Sequence, residues 1–192
     1  DGHYNIGNCF YEKGKKDAAL KSYRKAIEFN SNYFDSYIKI GIIYNEDDDY
    51  SAAVESYRLA ININPNSYEA LNNLGVSLLN KGDLNEALVN FKKAVVVYPE
   101  SAVAHINMAI ICKNNGNYTA AIYNYIQAIS YDQNNIKAYY NFGNLLRNII
   151  FSSPIKNLPE TIIELLDKQT LVSPAQICPA ILSLVKLDSN YQ

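Results

Sequence analysis

The chain has 192 residues, of which 48% are hydrophobic and 19% charged, with a formal net charge of −2. That balance is too apolar for a disordered segment and long enough to bury a core. The absence of any Lys/Arg run argues against a nucleic-acid backbone binder, and no apolar run approaches the ~18 residues of a membrane helix. No basic segment followed by an apolar one opens the chain as a secretory signal does, and its start at Asp1 reads as a fragment or a processed product. Cys9, Cys112 and Cys178 lie far apart, form no CxxC and are odd in number. They read as reduced, buried small side chains in a cytoplasmic protein, with too few His beside them for a metal site and no cofactor implied.

Along the chain the strongest signal is an internal repeat. Gly7, Gly41, Gly75, Ala109 and Gly143 follow one another at a spacing of 34. Three further columns keep the same period: Ala19, Ala53, Ala87 and Ala121; then Tyr23, Tyr57, Phe91 and Tyr125; then Ala26, Ala60, Ala94 and Ala128. Within each unit the apolar residues recur at helical spacing, as at Ile40, Ile43 and Tyr44 or at Leu74 and Leu78, so each half is an amphipathic helix. Turn signals separate the halves at Lys13-Gly14-Lys15, Asp47-Asp48-Asp49, Lys81-Gly82-Asp83 and Asn115-Gly116-Asn117. Pro65 and Pro99 close two units. The small residues mark a close approach of two helices, and the large ring of the Tyr/Phe column fills the space beside them.

These columns resemble the tetratricopeptide repeat (TPR) family over about residues 1–149, as four full units and the first helix of a fifth. The resemblance implies an all-α, right-handed superhelix of antiparallel helix pairs. It places helices near 3–13, 17–29, 34–46, 50–62, 68–80, 84–97, 102–114, 118–131 and 136–149. Beyond them the expected second helix would run through Ser152-Ser153-Pro154, with Ile155 in its Ala column, so the array stops at about residue 150. Residues 150–192 then read as a helical cap or a linker to another domain. Pro159 and Ser173-Pro174-Ala175-Gln176 open helices there, and Ile162, Leu165, Leu166, Ile181, Leu182 and Val185 need something to cover. Residues 163–188 also resemble a linker in some bacterial TPR enzymes of methyltransferase type.

No catalytic grouping stands out. His3 and His105 share a column with Tyr37, Leu71 and Tyr139, which reads as a packing slot. Asp47-Asp48-Asp49 lacks the spacing of a calcium loop and reads as a solvated turn. The resemblance instead points to the first-helix columns that line the TPR groove. One of them reads Asn5, Lys39, Asn73, Asn107 and Asn141. An Asn amide offers donors and an acceptor, so such a ladder pairs with the backbone of an extended peptide of any sequence. It is similar to the repeats of O-linked N-acetylglucosaminyltransferases, although Asn is abundant here in general, at 25 residues. The flanking columns are Tyr4, Ile38, Asn72, Ile106, Tyr140 and Asn8, Ile42, Val76, Ile110, Asn144. Lys39 breaks the ladder as a partner for a carboxylate. The two-carboxylate clamp of chaperone-binding TPRs is absent: neither Tyr4, Asn8, Lys39, Glu69 and Asn73 nor Asn72, Val76, Asn107, Lys137 and Asn141 matches it.

The sequence therefore reads as a non-enzymatic protein-protein interaction scaffold. Its expected partner is a protein or peptide segment, with no nucleic acid and no membrane. Two other readings remain open. One is a substrate-recruiting arm of a larger glycosyltransferase- or methyltransferase-type enzyme. The other is self-association through the apolar tail.

Overall fold

The computed structural model describes residues 2–146, all in helices and short connections. The helices are α1 (Gly2–Glu12), α2 (Lys16–Phe29), α3 (Phe34–Glu46), α4 (Tyr50–Ile63), α5 (Tyr68–Lys81), α6 (Leu84–Val97), α7 (Ala102–Asn114), α8 (Tyr118–Tyr131) and α9 (Ile136–Leu146). No strand occurs among the described residues, and no helix of theirs is long and apolar enough to cross a membrane. The described helix ends lie within a residue of the ranges that the resemblance implies, and the expected last residues of α9, 147–149, lie outside the described residues. The expected cap or linker over 150–192, with Cys178, lies outside the described residues. The chain divides into two compact units, Asp1–Pro99 and Glu100–Gln192, at a repeat boundary.

In the first unit each helix packs on the next, α1 through α6, and α3 also touches α5 directly. In the second, α7 packs on α8, α8 on α9, and α7 adjoins α9. Three of the four helix pairs close on the same seat. A Cβ placed on Gly7 would lie 2.5 Å from Tyr23 Cε1, one on Gly41 2.7 Å from Tyr57 Cε1, and one on Gly75 2.6 Å from Phe91 Cε1. The absence of a side chain is what lets the ring lie against the helix backbone. The fourth pair holds Ala109 and Tyr125, both fully buried in one cluster with Ala121, Ile122 and Phe142. Burial pushes the hydroxyls of Tyr23 and Tyr125 up to about 12 and that of Tyr57 higher still.

Between repeats the apolar columns meet the preceding second helix. Ile40 and Ile43 of α3 pack with Ala19, Leu20 and Tyr23 of α2. No helix precedes α1 among the described residues, so the equivalent Ile6 and Cys9 are exposed. The expectation that Cys9 is buried is thereby corrected; Cys112 is buried as expected. A further polar column went unread in the sequence. Ser22, Ser56, Asn90 and Asn124 are all buried, and each donates its side chain to the carbonyl four residues earlier at 2.8–2.9 Å.

The turns repeat as well. Gly14, Asp48, Gly82 and Gly116 occupy one column and all have positive φ, of 69°, 59°, 94° and 74°. The next residue's N–H reaches back over the turn to Phe10, Tyr44, Leu78 and Cys112 respectively, at 2.8–2.9 Å, closing the first helix in a Schellman-like end. Asp49 and Asn117 then start α4 and α8 by accepting the N–H of Ala52 and Ala120. Asp48 pays a left-handed penalty that glycine avoids, and its carboxylate is held by the Tyr50 hydroxyl on the exposed surface.

Asp48→Gly raises the stability of the first unit by about 0.5–1 kcal/mol, whereas Gly82→Ala lowers it by about 1 kcal/mol, both read by thermal or urea denaturation. Gly75→Leu lowers stability by roughly 1–3 kcal/mol through overpacking, and Phe91→Leu in the same chain recovers part of that loss in a double-mutant cycle.

Candidate functional site

The expected groove columns of the first unit fall on its first helices, α1, α3 and α5. Asn5 is exposed, and Lys39 and Asn73 in the same column are half-buried. Beside them Asn8, Ile42, Asn72 and Val76 are also half-buried, neither packed away nor free in solvent. Asn8 is already engaged, its Oδ1 accepting the Tyr23 hydroxyl at 2.8 Å. The Oδ1 of Asn72 is shielded from solvent yet has no donor. No hydrogen bond of the Asn73 amide or ion pair of Lys39 occurs among the described residues. Ser77, one turn beyond Asn73, donates to Asn45 Oδ1 at 2.9 Å and ties α5 to α3.

In the second unit, Ile110, Asn141 and Asn144 are half-buried and Tyr140 is exposed. Three residues expected on the open face are instead buried: Ile38 at 3%, Ile106 at 2% and Asn107 at 6% exposure. Ile106 belongs to the core cluster with Ala109 and Phe142. The reason lies in helix geometry. These columns border the core-facing stripe, and one step of 100° separates a residue that is covered from one that is not.

A polar cluster at the ends of α1 and α3 was not read from the sequence. The Tyr11 hydroxyl donates to Glu46, and Lys16 Nζ lies 3.1 Å from Glu46 and 2.6 Å from Asp47. The Tyr11 hydrogen bond, helped by Lys16, holds the Glu46 carboxyl below the usual range. Its partners stand 31 to 35 residues apart in the hydrogen bonds Lys16–Asp47 and Tyr11–Glu46, a separation that carries no local signal. On the second-helix side, His105 Nδ1 lies 3.1 Å from Asn124 Oδ1 and its ring stacks on Tyr131, as His3 stacks on Phe29. Both histidines occupy the packing slot that their column implies. Asp47, Asp48 and Asp49 are exposed in the turn, and no group of potential metal ligands occurs among the described residues.

Two recesses, of about 400 and 380 Å³, lie away from this face. The first is bordered by His3, Ile6, Phe29 and Tyr33, the second by Tyr37, Leu59 and Ile63. Neither gathers nucleophile, acid and base, and neither has the enclosure of a small-molecule site.

Comparison with known proteins bears on the fold. The chain is similar to the crystal structure of a protein named MamA, with a TM-score of 0.71 at 20% identity over 94% of this chain and 95% of that one. A second structure of MamA gives 0.74 at 22% identity over 88% and 90%. The structure of a MamA RS-1 double mutant gives 0.73 at 20% over 86% and 91%. No curated protein matches the chain. The model described as tetratricopeptide repeat matches residues 1–33 and 68–101, and that described as TPR repeat matches 43–82 and 111–148. Together they span more than half of the sequence. The chain belongs to the tetratricopeptide repeat family, folded as an α-solenoid.

Proposed function

We propose that the chain is a non-catalytic interaction scaffold that holds an extended segment of a partner protein against the first-helix face of its repeats. One observation carries this reading. In the first unit, Ile42 and Val76 in one expected groove column are half-buried, and the half-buried Asn72 and Asn73 of the neighbouring columns have unengaged amides among the described residues. Apolar floor and free backbone-pairing groups together suit a covered strand of peptide, which needs both contact area and somewhere to place its N–H and C=O. Ile110 and Asn141 offer the same pairing within the second unit. A recruiting arm of a transferase would use this face in the same way. That second reading leans on residues 163–188, outside the described residues.

The test uses random linear peptides displayed on phage and selected against the chain. A selected peptide, added to isotope-labelled protein, is expected to shift backbone amides of α1, α3 and α5. Shifts confined to α2, α4 and α6 would refute the reading. Asn73→Ala is expected to weaken such a peptide about two- to tenfold while leaving the melting transition in place. Asn8→Ala does the reverse: it strips the Tyr23 hydroxyl of its acceptor and costs about 1 kcal/mol of stability, measured by denaturant titration.

A further inference from the structure

We infer that the first-unit face selects an extended segment carrying an internal Asp or Glu, whose carboxylate Lys39 takes while Asn72 and Asn73 take the backbone about three residues away. This rests on the function proposed above and adds a charge and a register to it. Lys39 stands on α3, the middle of the three first helices in its unit, and is half-buried. Lys16, Arg58 and Lys81 are committed to Glu46 and Asp47, to Glu86 and to Asp83, and the cations of the unit without an ion pair among the described residues are exposed apart from Lys39. Lys39 makes none among the described residues, although Asp35 stands one helical turn before it on the same helix. A half-buried ammonium with no counter-charge loses hydration without recompense, and a carboxylate arriving with the ligand restores it.

The second half of the inference comes from α5. Asn72 Oδ1 is shielded from solvent and lacks a donor, so the fold leaves it unsatisfied, and a ligand N–H reaches it once the half-buried amide turns outward. The α3 and α5 helices touch, and Ser77 ties the latter to Asn45 of the former. Packed helix axes lie about 8–10 Å apart. An extended chain rises about 3.3 Å per residue, so three residues carry it from Lys39 on one helix to Asn73 on the next first helix. Ile42 and Val76, one turn along each helix, floor the path between them. First-helix groups stand on both sides of Lys39, Asn5 on α1 and Asn73 on α5, so the ligand chain continues past it in both directions. The carboxylate therefore belongs to a side chain within the segment and not to a chain terminus.

The experiment is a selection of random linear dodecapeptides, fused through their C-termini to the phage coat so that no terminal carboxylate is free. Against the unaltered chain, the selected peptides are expected to hold Asp or Glu at one fixed position. Against Lys39→Glu they are expected to hold Lys or Arg there. A selected acidic peptide, synthesised with an amidated C-terminus, should bind Lys39→Gln about tenfold more weakly than the unaltered chain, with a smaller difference at high salt. Lys39→Gln also serves if the charge reversal disturbs folding, with unchanged circular dichroism as the control. Peptides that shift the α1, α3 and α5 amides but show no acidic preference would overturn this inference and leave the proposed function standing. Failure to select any peptide that shifts those amides would overturn both.

Discussion

The structure depends on one contact made repeatedly: an aromatic ring of the second helix lying where the first helix has no side chain. At 2.5–2.7 Å from an added Cβ, the ring edges of Tyr23, Tyr57 and Phe91 leave no space for a methyl without movement. That closeness sets how near the two helices of a pair can come, and the Ala columns at Ala19, Ala53 and Ala87 keep the same approach open from the other side. Within the first unit the three pairs share this seat, so each first helix meets its second helix in the same way. The fourth pair shows how far the seat can vary. Ala109 brings the methyl, and Tyr125 remains fully buried, but its hydroxyl ends without a partner.

Most of the fold was legible because its determinants are local and periodic. Gly7, Gly41 and Gly75 with their rings fix the pairs. The positions of Gly14, Gly82 and Gly116 fix the turns, since a left-handed residue is cheapest as glycine. Asp48 was legible as a turn and not as a strained one, because the second turn's sequence is acidic throughout and only its place in the column shows that it shares the glycine conformation. Cys9 misled for the opposite reason. Its column is buried at Ile43, Ser77 and Ile111, but the burial is supplied by a preceding repeat, which α1 does not have among the described residues.

The candidate site was legible only in part. An Ile that floors an open face and an Ile that fills the core are the same letter, so Ile38 and Ile106 could not be told from Ile42 and Ile110 by column alone. Asn107 was drawn to the face by its column and lies buried in the structure. The Tyr11–Glu46–Lys16 cluster required contacts across repeats and left no spacing to detect.

The abundance of Asn raised the question of whether a row of amides on the first helices means anything. The structure divides that abundance by task. Asn30 and Asn64 close turns by accepting the N–H of Asn32 and Asn66. Asn117 and Asn135 accept first-turn N–H groups of α8 and α9 from Ala120 and Ala138. Asn90 and Asn124 bond back into their own helices, and Asn8 holds a tyrosine hydroxyl. In each case the side-chain oxygen or amide is spent on the fold, at a turn, a helix start or a packing slot. Asn72 and Asn73 sit mid-helix, where Asn has below-average helix propensity. Their amides make no such local bond among the described residues, and the Asn72 Oδ1 is shielded without a donor. That separates these two amides from the Asn residues named above, and the difference turns on their hydrogen bonds rather than on how many Asn the chain has.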